Sequence, residues 1–217
     1  MKRFIHPGTL LFIMLLLPFT QTSAAGLTED IASLQHEWAR IKYKIREDLQ
    51  EAQFEALAKT AETITARYPN RAEPLIWEGI VLSTWAGARG GLGALKLVKR
   101  SRERLEKALD INPAALDGSA YTSLGTLYYK VPGWPVGFGD DDKAEELLTR
   151  ALEINPDGID PNFFYGEFLL EEKRYEESLK VLNHASQAAP RPGRETADAG
   201  RKMEILQLQA KARNQLN

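Results

Sequence analysis

Two nine-residue segments of this chain are near copies of each other. Leu105 to Pro113 reads LEKALDINP and Leu148 to Pro156 reads LTRALEINP, at an offset of 43. A weaker copy, VLNHASQAAP, ends at Pro190, 34 residues after Pro156. A fourth, ALAKTAETITARYP, ends at Pro69, 44 residues before Pro113. A repeated unit of this size cannot bury its apolar face alone, so the copies must stack on one another. Each ends in proline, which disfavours helical geometry in the residue before it, so each predicts a helix that stops there.

A second element precedes each copy. YTSLGTLYY carries Tyr121, Leu124, Gly125 and Tyr128; NFFYGEFLL offers Gly166 and Leu169, and LIWEGIVL offers Gly79 and Leu82, in the same roles. A glycine in one helix and a small residue in the next (Ala108, Ala151, Ala185) let two helices of a hairpin approach closely. The pattern resembles the tetratricopeptide repeat (TPR), a 34-residue helical hairpin. It predicts an all-α, right-handed, TPR-like superhelix of antiparallel helix hairpins. The repeats end near residues 69, 113, 156 and 190, and a C-terminal capping helix spans 196–216, with Met203, Leu206 and Leu208 toward the stack. For the first pair, Ile31, Leu34, Trp38, Ile41 and Ile45 predict a helix over 28–48, and Phe54, Leu57, Ala61 and Ile64 one over 52–67. Asp160 before Pro161 reads as an N-cap. Asp140, Asp141 and Asp142 read as acidic residues at a helix start rather than a calcium loop, whose alternating ligands and distal glutamate are absent.

From glycine to proline the last repeat takes 24 residues, whereas the two before it take 31 and 34. The middle repeats therefore carry insertions. One is AGARGGLGAL, 86–95, read as a flexible turn or close-approach loop; it matches no phosphate-loop pattern. The other is VPGWPVGFGD, 131–140. Trp85 begins the first insertion, Trp134 and Phe138 project from the second, and Tyr128 ends the helix before it. These four aromatics either staple the loops to neighbouring helices or wall a small-molecule pocket between the two insertions.

Charge is uneven. Lys96 to Lys107 holds six basic and two acidic residues, and Asp140 to Glu153 holds six acidic and two basic. Either the two helices attract each other within the stack, or Lys99, Arg100 and Asp141 belong to a partner-docking face with a positive and a negative half. Chemistry finds little foothold. Beyond His6 the histidines are His36 and His184, with no i, i+4 histidine partner. No GxSxG, SxxK or HExxH motif occurs. No catalytic residue, metal ligand or cofactor follows from such a sequence, and the expectation is a protein that is not an enzyme. The formal net charge of −2 offers no basic field for nucleic acid.

The N-terminus points to export. Met1-Lys2-Arg3, the apolar run Leu10 to Phe19 and the small residues Thr22 to Gly26 follow the order of a secretory signal. Ten apolar residues fall short of the roughly 20 needed for a spanning helix. The expected division is a signal peptide over 1–24, cleaved after Ala24 or Ala25, and a repeat domain over 25–217. There is no cysteine, hence no disulfide, thiolate site or lipoprotein anchor. The product is expected to be periplasmic and soluble, with no stable membrane insertion after cleavage.

A narrower resemblance rests on AGARGGLGALKLVKRSRERLEKAL, on GWPVGFGDDDKAEELLTRALEINP and on FFYGEFLLEE. These segments look similar to the T component of TRAP-type periplasmic transporters. That resemblance implies a helical-repeat accessory of a transport system. It would work beside a periplasmic solute-binding protein, as a homo-oligomer with ligand-sized openings. TPR proteins are binding scaffolds, so the leading expectation is an adaptor with a protein partner in its groove. The alternative is a small-molecule carrier.

Overall fold

The computed structural model describes residues 21–216, with side chains from residue 25 onward. Nine helices are described: α1 (Gln21–Lys44), α2 (Glu47–Arg67), α3 (Ala72–Arg89), α4 (Gly91–Ile111), α5 (Ser119–Lys130), α6 (Asp141–Ile154), α7 (Ile159–Glu171), α8 (Tyr175–Ser186) and α9 (Glu195–Leu216). No strand occurs among the described residues. Consecutive helices pair as α1–α2, α3–α4, α5–α6 and α7–α8, each pair packs on the next, and α9 follows. The signal segment lies almost wholly outside the described residues.

The hairpins share one register. A Cβ on Gly79 would sit 2.7 Å from Leu105 Cγ, one on Gly125 2.8 Å from Leu148 Cγ, and one on Gly166 2.7 Å from Leu182 Cγ. Each leucine lies three residues before the small Ala108, Ala151 or Ala185, and all six leucines and alanines are buried. Four residues before the leucine comes a second contact. Ser101 Oγ donates to Gly79 O and Ser178 Oγ to Gly166 O, both at 2.7 Å. In the middle repeat Ala144 takes the serine's position, and its carbonyl lies 3.2 Å from where a Gly125 Cβ would be. Glycine is required because no side chain fits where two helices touch at backbone distance.

Helix ends follow the prolines. Asn112 and Asn155, each before a proline, leave helical geometry (φ −157° and −135°) and end α4 and α6. Asp140 caps α6, its side chain accepting from Lys143 N at 2.9 Å.

Several boundaries differ from the sequence reading. α1 stops at Lys44 rather than 48. Gln50 Nε2 donates to Lys42 O and Ile45 O, satisfying terminal carbonyls, while Glu47 and Asp48 favour a new helix start. The insertion at 86–95 is no loop. α3 runs to Arg89, the chain turns at Gly90 (φ 65°), and α4 begins at Gly91, so the added residues lengthen both helices. Asp160 does not cap α7; Gly158 holds that position and Asp160 lies in the first turn. On α9, Leu208 is buried but Met203 and Leu206 are exposed. The stripe that packs is Ala197, Asp198, Arg201, Ile205, Leu208, Gln209 and Ala212. Two of those seven are charged and a third is polar, so apolar periodicity alone misplaces the face.

α9 packs on α8 and α7 and also reaches α1, the first helix of the stack. His36 Nε2 lies 2.7 Å from Gly193 O, Tyr43 donates to Glu204 at 3.0 Å, and Gly200 lets α9 approach the Tyr43 ring. The superhelix thus closes on itself. Among the described residues no helix is long and apolar enough to cross a membrane.

Candidate functional site

Closure of α9 against α1 makes a recess on the inner face of the stack, with a volume of about 260 Å³. Its walls come from the first helix of every hairpin and from α9. Trp38 and Tyr43 of α1, Trp77, Ile80 and Thr84 of α3, and Thr122, Ser123 and Thr126 of α5 form one side. Asp160 and Phe164 of α7 face Arg191, Arg194 and Arg201. This lies just below the usual ligand-pocket range of about 300–1,000 Å³, so it suits a small ligand, and its mixture of rings and a few polar groups is usual for one.

The charges are ordered. Asp160 accepts from Arg191 Nη1 at 2.7 Å and from Arg201 Nε at 2.9 Å. Asp198 accepts from Arg191 Nε at 2.8 Å and from its backbone N–H at 2.9 Å. Burial works against the Asp160 charge, but Arg201 and Arg191 outweigh it and hold the carboxyl well below the usual carboxylate range. Arg201, 8 % exposed as a side chain, also pairs with Glu204 and stacks on Phe163 and Phe164 at 4.1 and 4.6 Å. Arg194 differs. No carboxylate pairs with it among the described residues, its Nε is buried without an acceptor, and its guanidinium lies 5.3 Å from the Trp77 ring. Burial and the neighbouring Arg191 lower its pKa.

The indoles differ in the same way. Trp38 Nε1 donates to Thr84 Oγ1 at 2.9 Å, whereas Trp77, 4 % exposed, has no acceptor for its N–H. At the recess edge Leu116 (φ 49°), Asp117 (φ 55°) and Gly118 (φ 75°) are consecutive left-handed residues leading into α5. Two of them are not glycine, a conformation that persists only when surroundings enforce it.

The aromatics singled out by sequence lie elsewhere. Trp85 is buried in the α3 core, with Arg89 5.9 Å over its ring. Phe138 packs edge-on to Tyr128 at 5.5 Å and under the Arg102 guanidinium at 4.4 Å. Trp134 stands 89 % exposed. None of these four lines the recess. The 131–140 loop is rigidly built: Gly139 N donates to Pro132 O and Asp140 N to Tyr128 O, at 3.0 and 2.9 Å. A Cβ on Gly139 would collide with Val131 O, and one on Gly137 with Pro132 O.

The charged helices α4 and α6 do not touch, which removes direct attraction between them. α4 pairs inward instead, Arg104 with the buried Glu78 at 2.8 Å and Arg100 with Glu62 at 3.6 Å. Lys99 and Asp141 are exposed on separate helices. His36 and His184 are both exposed, the first on Gly193 O at 2.7 Å and the second on Asp157 at 2.9 Å. Among the described residues no group of three histidines or carboxylates is arranged to hold a metal.

The tetratricopeptide-repeat family profile matches residues 137–195. The fold is a TPR-like superhelix. A solved thermophilic TPR protein of Thermus thermophilus superimposes with a TM-score of 0.55 at 18% identity, covering 86% of this chain and 95% of that one. No curated protein matches the sequence. Helical-repeat stacks of this kind offer an extended concave surface for binding. Here α9 turns that surface into a recess. Sequence reasoning missed Trp77, Asp160, Arg194 and Arg201 as a group. Of these only Arg201 carries a sequence signal, as a polar residue on α9 at the spacing of its packed stripe.

Proposed function

We propose that this chain is an exported, non-catalytic TPR-like binding protein that takes a small ligand into the recess between α1, α3, α5, α7 and α9. It would serve as an accessory of a periplasmic transport system. The observation that carries this reading is the closure of α9 onto α1, which leaves a ligand-sized, ring-lined space instead of an open groove for an extended peptide. Export is supported by the basic–apolar–small order of Met1 to Gly26.

Native mass spectrometry of protein purified gently from periplasm tests this. A retained small mass that disappears in Ser123→Phe, which fills the recess, supports it. A clean protein mass, together with a ligand screen in which S123F and parent behave alike, overturns it.

A second reading, docking of a protein partner such as a periplasmic solute-binding protein or a second copy of the chain, is favoured by one observation. Trp134 and Val136, 89 % and 55 % exposed, sit at the tip of a loop held rigid by its own backbone contacts. Rigid exposed tryptophan is costly in water and is enriched where proteins meet. Trp134→Ala then loses a co-purifying polypeptide without altering ligand retention.

A further inference from the structure

We infer that the recess recognises a small monoanionic carboxylate with a planar or short apolar body, and that Arg194 is the residue that reads its charge. This rests on the reading of the recess as a ligand site and adds the ligand's chemistry.

Three observations meet at one place. First, Arg194 is the arginine of the recess without a carboxylate partner. Arg191 spends its donors on Asp160 and Asp198 and Arg201 on Asp160 and Glu204, while no described group accepts from Arg194's side chain. A guanidinium is a rigid fork of donors that matches a carboxylate in two parallel bonds. Burial and Arg191 disfavour its charge, Asp160 and Asp198 offset part of that, and an incoming anion bonded directly to the guanidinium would relieve the rest. Second, Trp77 lies beneath that guanidinium, 4 % exposed, with its indole N–H unsatisfied. Buried N–H groups are nearly always paired, so an orphan beside an unpaired arginine marks a place for an acceptor. Third, α5 and α7 both begin at the recess, at Ser119 and at Gly158–Ile159, so two helix N-termini add positive potential there.

The remaining wall sets the rest of the ligand. Trp38, Trp77 and Phe164 give apolar faces suited to a ring or a short chain, and Thr84, Ser123 and Thr126 border them with hydroxyls. Asp117 and Asp160 also face the space. Asp160 is already compensated by Arg191 and Arg201, so the charge left over is that of Asp117, which suits a single carboxylate and opposes a dianion such as a phosphate monoester.

The test pairs 3-phenylpropionate with 3-phenylpropanamide, which share shape and differ in charge. Binding is read by calorimetry and by the indole Hε1 resonances of Trp38, Trp77, Trp85 and Trp134. The expected result is that the carboxylate binds at least tenfold tighter than the amide and moves the Trp77 resonance while leaving Trp134 in place. In Arg194→Gln that preference collapses to about unity while amide binding and the melting temperature are kept. Arg194→Lys recovers part of the preference, since charge remains but the fork is lost. Equal binding of acid and amide in the parent protein, or an acid preference that survives R194Q, overturns the charge reading and leaves the recess as a ligand site. If neither compound moves Trp77 and recess-filling S123F changes nothing, both readings fall together.

Discussion

Asp160→Asn tests the joint that closes the superhelix. Asp160 stands in the first turn of α7 and accepts from Arg191 before α9 and from Arg201 within it, at 2.7 and 2.9 Å. Arg201 is nearly buried and Asp160 is 29 % exposed as a side chain. Removing one partner of such a pair strands the other charge, at a cost of about 3–5 kcal/mol when burial is complete. The partial exposure of Asp160 places D160N near the lower end, about 3 kcal/mol. For a chain of this length that is a fall in melting temperature of about 6–12 °C. The pH dependence carries the same information. The folded pKa of Asp160 lies below the ordinary aspartate value of about 3.9, so the unfolded state binds its proton first. Its stabilisation is complete above about pH 4 and drains away as the pH falls toward the folded value. Urea unfolding between pH 7 and 3 should show an acid limb in the parent that is shallower in D160N. Arg201→Met in the D160N background removes the stranded guanidinium, so the double variant should cost less than the two singles added. If D160N unfolds within about 0.5 kcal/mol of the parent at pH 7, or keeps the whole acid limb, the ion cluster does not hold α9 to α7.

The remaining predictions probe other parts of the stack. Gly166→Ala drives a Cβ into Leu182 and should destabilise by about 1–3 kcal/mol despite the better helix propensity of alanine, with Leu182→Ala in the same chain recovering part of the loss in a double-mutant cycle. Asp140→Ala removes the α6 cap bond to Lys143 N and should cost about 1 kcal/mol by urea unfolding. Trp134→Ala, at a side chain 89 % exposed, should leave stability within about 0.5 kcal/mol of the parent, read as an unchanged urea midpoint. Protein recovered from periplasm should begin at Ala25 or Gly26, which intact-mass measurement distinguishes from the uncleaved chain.

The helical stack was legible because its rules are local. A glycine in one helix, a leucine–alanine pair in the next and a closing Asn-Pro recur within single repeats, and each reports a contact between neighbours in sequence. The glycine-rich stretch 86–95 misled for a physical reason. Glycine lowers helix propensity by about 1 kcal/mol per residue, but these glycines lie in the exposed ends of two long helices whose bodies pack in the stack, and only the turn at Gly90 and Gly91, both at left-handed φ, breaks the chain. The recess was not legible because nothing local encodes it. Its rings sit at 38, 77 and 164 and its arginines at 191, 194 and 201, and they meet only when the ninth helix returns to the first. The residues that bring it back are charged. A stripe holding Asp198 and Arg201 reads in sequence as a solvated face, whereas in the fold each charge finds its partner on another element. Aromatic residues in glycine- and proline-rich insertions draw attention as candidate pocket walls, yet Trp134 faces water and Phe138 secures its own loop. In a repeat stack the better question is which polar side chains on the last helix lie at the spacing of its packed face, because those must be answered by the inner surface of the repeats before them. On α9 that question leads from Asp198 and Arg201 to Asp160, and from there to Arg194, the arginine beside them that no described group answers.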